Sequence, residues 1–288
     1  MKIFVGPLRC LEKIENGERD VYSYKWYTAI GITLVFMLAY SIAMMIPQFA
    51  VIFNQDGSLG LQALAVILEI GLIIGVVNAV NAIFFKKTYL EPIKKTKGRD
   101  YLFIFLATIA LMSILNATIY PFYNLIPEDP AITETWEILS NSMIYLLFTT
   151  SIAAPIIEEI FFRGVIFRGL LKNYSPKTAI IVSAVIFGVI HGNIHQFITA
   201  SILGMFLAYV YYKTDSIYLA IFIHFINNSL ANFLIWGWSV QSQLIISAIY
   251  LAVAAVIILF VKKKYTLPRA PKPTFSEEIP LECEIDLR

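Results

Sequence analysis

Eight apolar segments, at roughly 27–48, 60–85, 101–123, 136–171, 177–192, 197–212, 217–236 and 241–261, leave this chain little choice of solvent. Crossing about 30 Å of hydrocarbon takes about 20 apolar residues in a helix, and most of the segments reach that length. Hydrophobic residues make up 58% of the chain, charged residues only 15%, and mean hydropathy is +0.72. A soluble domain carries about 25% charged residues. The expected fold is therefore all-α: a polytopic integral membrane protein of about eight transmembrane helices. The fifth and sixth segments are short, and alone each would suit a re-entrant or interior helix. The fourth is too long for one upright span, so it must tilt, kink near Pro155 or extend past the bilayer.

Loop charges orient these spans. Lys2, Arg9, Lys13, Arg19 and Lys25 precede the first. Lys86, Lys87, Lys94, Lys95, Lys97 and Arg99 join the second to the third. Arg163, Arg168, Lys172 and Lys177 flank the fourth-to-fifth turn, and Lys213 lies between six and seven. Lys262, Lys263, Lys264, Arg269 and Lys272 follow the eighth. The alternate loops carry Asp56, the acidic run Glu128, Asp129, Glu134 and Glu137, or no charge. The positive-inside rule then places both termini in the cytoplasm of a multi-pass cell-membrane protein. Three parts are expected: a cytoplasmic segment 1–26, a membrane domain 27–261 and a disordered cytoplasmic tail 262–288. Charges through the first 25 residues and a long first segment argue for a retained span rather than a cleaved signal peptide. A net charge of +2 gives no argument for nucleic acid. Cys10 and Cys283 are the only cysteines, which argues against a disulfide framework or a cysteine metal site.

Inside the fourth apolar segment stand two adjacent carboxylates, Glu158 and Glu159. Each costs about 2.5–3.5 kcal/mol to insert at a helix centre, and such groups are functional candidates by default. Glu159 and Arg163 are at i and i+4, so they can neutralise each other and support the structure. Glu158 faces Phe162 at that spacing and lacks this local partner. Helices four and five, joined around Asn173–Pro176, would carry Glu158 and His191 to one depth, on the order of 20–25 Å from the turn. Helix seven would bring His224 and Asn228, also at i and i+4, to a similar level. The catalytic helices thus fall within 136–236. A carboxylate and an imidazole in a semi-dry intramembrane cavity can bind and deprotonate a water. A second imidazole and an amide suit a developing oxyanion. Together these are the apparatus of peptide-bond hydrolysis.

The motifs Glu-Glu-x-x-x-Arg (158–163), Phe-x-x-x-His (187–191) and His-x-x-x-Asn (224–228) follow one another on successive apolar helices. In this order they resemble the CPBP (Abi) intramembrane proteases, which include CAAX prenyl endopeptidases of the Ras-converting type. The resemblance implies an eight-helix fold and a membrane-associated or lipid-modified protein substrate, including prenylated CAAX proteins. It implies Glu158 and His191 as the water-activating pair and His224 and Asn228 as oxyanion donors. Glu159 and Arg163 fill the remaining motif positions.

Other readings remain. Glu158, His191 and His224 could bind zinc and leave one position open, although no His-Glu-x-x-His helix is present. The expectation is a glutamate-activated water with no required cofactor. A transporter would bury carboxylates too, but no inverted repeat is evident. A non-catalytic immunity or scaffold protein is the remaining alternative. Asn227 points about 100° from Asn228 and is expected to pack. His195 is expected in a loop near the outer end of its span. Glu69, in the second span, is unassigned.

Overall fold

A computed structural model describes residues 25–52, 58–84, 97–119, 141–234 and 240–264, with isolated positions at 23, 130, 134, 137 and 139. The N-terminal segment, the basic loop 86–96, Glu128 and Asp129 of the acidic run and the tail beyond 264 lie outside the described residues. Apart from the isolated positions, the described residues form eight helical rods, and no strand occurs among them. They are α1 (Trp26–Ile52), α2 (Leu59–Phe84), α3 (Gly98–Thr118), α4 (Met143–Leu171), α5 (Pro176–Val189), α6 (Ile194–Thr214), α7 (Ile217–Leu234) and α8 (Val240–Lys264). Four of them, α1 to α4, are long and apolar enough to cross a membrane, and α5, α7 and α8 contain shorter apolar stretches. The protein is an all-α membrane protein.

The sixth element is longer than its apolar core of 197–212. Asn193 caps its start by accepting a hydrogen bond from the Gln196 amide at 2.8 Å, and Asp215 ends it in the left-handed region at φ 51°. At 21 residues it covers about 31 Å. The fifth is the short one. Ser175 caps it by accepting from the Thr178 amide, Pro176 opens it, and a turn at His191–Gly192 closes it with Gly192 at φ 72°.

Helix α4 is the axis of the molecule. Every residue from Ile160 to Phe167 is buried, as expected of a helix that is apolar all round. On one side α1 lays Phe36 over Phe161, ring centroids 3.7 Å apart and nearly parallel. On the other, α5 and α6 pack, with Phe187 meeting Phe162 edge-on at 5.0 Å. Helix α7 lies along α4, and α3 joins α7 to α8. The outward faces of α1 and α8 expose large apolar side chains, including Val35 at 71% and Leu259 at 68%. Water would not tolerate such continuous stripes, whereas hydrocarbon does.

The α5–α6 contact depends on small residues, as close helix packing in lipid does. A Cβ on Gly188 would overlap Ser201 Oγ and stand 2.7 Å from the Phe197 carbonyl oxygen. One on Gly204 would meet Ala184 Cα at 3.2 Å. Gly188→Ala is therefore expected to destabilise the protein by about 1–3 kcal/mol, the usual cost of overpacking. Thermal unfolding in detergent measures it; an unchanged midpoint would show that α6 can slide away freely.

Candidate active site

Two wider π-helical stretches interrupt α4, at Thr149–Ala153 and Ile160–Phe167, on either side of Glu158 and Glu159. Such stretches are frequent at functional sites because they re-aim side chains and free carbonyls. Pro155 gives the first a chemical cause. The Ala154 amide bonds the Thr149 carbonyl, five residues back. In that register the Thr150 carbonyl would look to residue 155, and proline has no N–H to give. The Asn228 Nδ2 of α7 donates to that carbonyl instead, at 2.8 Å. Asn227 Nδ2 in turn donates to Asn228 Oδ1 at 3.0 Å, so the carboxamide is held at both ends.

His224 lies between the two glutamates. Its Nδ1 is 2.8 Å from Glu159 Oε1, and its Nε2 is 3.9 Å from Glu158 Oε2. A carboxylate can only accept, so an ionised Glu159 places the proton on Nδ1 and turns Nε2 toward Glu158. Glu158 Oε2 is itself buried without a hydrogen-bond partner. The gap between Glu158 and His224 is too long for a direct hydrogen bond and suits a bridging water or a reacting group.

Glu159 is fully buried and shared. Besides His224 it meets Arg163 Nε through Oε2 at 3.0 Å. That contact is ionic, since the N–H is not aligned as a hydrogen bond. Arg163 Nη2 donates to the Gly204 carbonyl at 3.3 Å, and the guanidinium lies 4.7 Å from the centre of the Phe187 ring.

Phe187 also organises the histidines. Its ring meets His191 edge-on at 5.0 Å and His224 at 5.7 Å. His191 Nδ1 bonds the Phe187 carbonyl at 2.8 Å, which leaves Nε2 as its working nitrogen. The structure thus brings Glu158, Glu159, Arg163, His224 and Asn228 together across α4 and α7. It joins His191 to them through Phe187. The side chain of His195 lies outside what is described. Among the described residues, no three His, Cys, Asp or Glu side chains form a group arranged to hold a metal ion.

Three features went unread in the sequence. The Glu159–His224 link needs the register between two helices, which i, i+4 spacing within one helix does not carry. Phe187 stood in the second motif, and no chemistry marked it as the ring between two imidazoles. The Thr150 carbonyl was detectable in principle, because Pro155 orphans a carbonyl four or five residues before it.

Residues 140–230 match the family described as type II CAAX prenyl endopeptidase Rce1-like. A curated relative, the "Putative membrane peptidase YdiL" of Bacillus subtilis (strain 168), is 32% identical over 115 residues, 37% of this chain and 47% of the relative. The chain thus spans about half the length of the curated relative it matches. No solved structure matches. The matched stretch contains all three motifs, and the similarity bears out the resemblance to the CPBP (Abi) intramembrane proteases.

Proposed function

We propose that the chain is an intramembrane endopeptidase. It hydrolyses a peptide bond of a membrane-associated, lipid-modified protein of the prenylated CAAX type, using a water activated by Glu158. The observation that carries the reading is His224, held by Glu159 at 2.8 Å with its other nitrogen 3.9 Å from Glu158. The water binds between Glu158 and the imidazoles. Glu158 takes its proton, with His191 orienting the water, and the hydroxide attacks the scissile carbonyl. The oxyanion accepts hydrogen bonds from the second Asn228 amide proton and from His224 Nε2, which requires His224 to be the doubly protonated imidazolium held through Nδ1 by Glu159. Glu158 then returns the proton to the leaving amine, and the bond breaks. Asn228 is held by the Thr150 carbonyl and His224 by Glu159 before any substrate arrives, and such preorganisation is what makes these groups effective.

A groove of about 260 Å³ on the same helices, lined by Ile152, Ile156, Phe222 and Phe225, supports a substrate with a hydrocarbon part. Lys172 and Lys177 beside the α4–α5 turn support access from the cytoplasmic side, with both termini in the cytoplasm. The zinc-dependent version would take Glu158, His191 and His224 as ligands, and its support is the facing of Glu158 Oε2 and His224 Nε2 at 3.9 Å.

One experiment addresses both. Membrane-protein termini are compared in cells with and without the chain, in the presence and absence of o-phenanthroline. The expected result is a set of chain-dependent termini that persists under chelation. No such terminus would leave a non-catalytic immunity or scaffold protein. Loss under chelation with recovery on zinc, together with stoichiometric zinc in the purified protein, would replace the water-only mechanism.

A further inference from the structure

Glu69 is the buried acid that this chemistry leaves unused. It projects from the middle of α2, is fully buried, and accepts a hydrogen bond from Thr149 Oγ1 at 2.6 Å. Its other oxygen, Oε2, is buried without a hydrogen-bond partner. A carboxyl group placed at such cost only to tie α2 to α4 would be a poor structural choice, since an apolar contact ties helices more cheaply.

The position of Thr149 shows what the contact controls. It is the first residue of the π-helical stretch, and the next residue, Thr150, offers the carbonyl that holds the Asn228 carboxamide. The Thr150 hydroxyl is already committed to the Leu146 carbonyl at 2.7 Å. The backbone here is thus held at two adjacent points, by Glu69 through the Thr149 hydroxyl and by Asn228 through the carbonyl of the Thr150–Ser151 peptide. A π-helical stretch competes with the ordinary α register, and slipping back would turn the Thr150 carbonyl away from α7. We infer that Glu69 is a positioning residue: by holding Thr149 it fixes the π register of α4 and aims the Asn228 amide at the oxyanion. The inference rests on the proposed function for its catalytic meaning, but the geometry it asserts can be measured without any substrate.

The test uses full-length protein with [15N]asparagine in detergent micelles. The Asn228 carboxamide resonances are assigned by their disappearance in Asn228→Ala. In the wild type the two amide protons should be well separated, because one is bonded to Thr150. Thr149→Val keeps the side-chain volume and removes the donor, so the pair should shift and move toward equivalence. Thr149→Ser should restore the wild-type positions. Glu69→Leu should match Thr149→Val, and Glu69→Gln, which still accepts, should match the wild type. Glu158→Gln should leave these resonances where they are.

With a cleavable substrate in hand, Thr149→Val should lower kcat by about tenfold with KM unchanged, a fraction of what losing an oxyanion donor outright costs. Asn228 resonances that are unmoved in folded Thr149→Val overturn the inference. So does a Thr149→Ser variant that fails to restore them. Should Glu69→Leu not fold, the valine and serine variants still decide the matter. A fully active Glu158→Gln would instead refute the proposed function and leave the resonance result to judge Glu69 on its own.

Discussion

Glu158→Gln is expected to lower the rate of peptide-bond cleavage by about 10²–10⁴-fold, the usual contribution of a general base. Its unfolding midpoint in detergent should stay at the wild-type value. The separation of the two effects follows from the site. Glu158 Oε2 has no hydrogen-bond partner, and its side chain is 19% exposed on the face where α4 meets His224. The amide has the same shape and breaks no bond that holds the helices together. It cannot take a proton from water. The measurement is turnover of a substrate identified from the chain-dependent termini, beside a thermal melt of the same preparation. Cleavage at the wild-type rate by a folded Glu158→Gln protein would remove this residue from the chemistry.

Arg163→Leu is expected to act in the opposite way, on stability first. Arg163 and Glu159 are 2% and 0% exposed, and each is the other's main charge partner. Removing one partner of a buried pair strands the other, at a cost of about 3–5 kcal/mol. Arg163 also leaves behind the Gly204 carbonyl and the face of Phe187, so α6 and α5 loosen together. Glu159→Gln should destabilise by the same logic, although its amide oxygen can still accept from His224. The double variant, Arg163→Leu with Glu159→Gln, should recover part of the loss, because no lone charge remains. Melting midpoints of the four proteins close the cycle. Single variants as stable as the wild type would show that the pair does not hold the helices.

How much of this was legible depends on the range of each interaction. Helices α1 to α4 could be read directly, since hydropathy is local and the bilayer sets a length. The true extent of α6 could not, because its caps at Asn193 and Asp215 lie outside the apolar window that marks a span. Glu159 and Arg163 were legible as a pair because both lie on one helix, four residues apart. Their neighbours were not. Whether His224 meets Glu158 or Glu159 is decided by about 100° of rotation of α4, and the two π-helical stretches alter that rotation. A reading built on an ideal 3.6-residue period carries no such correction. His191 was placed by counting residues to an equal depth, while in the structure it closes α5 and shares with His224 the ring of Phe187.

The brevity of α5 has a consequence for the lipid around it. Fourteen residues cover about 21 Å, against about 30 Å of hydrocarbon. An upright α5 with Lys172 and Lys177 at one interface would leave its other end, at His191–Gly192, roughly 9 Å short of the opposite one. A bilayer meets such a shortfall by dimpling, and headgroups with their hydration shells sink toward the defect. The same polar turn that ends the helix would then bring bulk solvent close to an otherwise oily interior. The proposed hydrolysis would consume one water per bond cut, and a thinned membrane beside His191 would be a supply line for it.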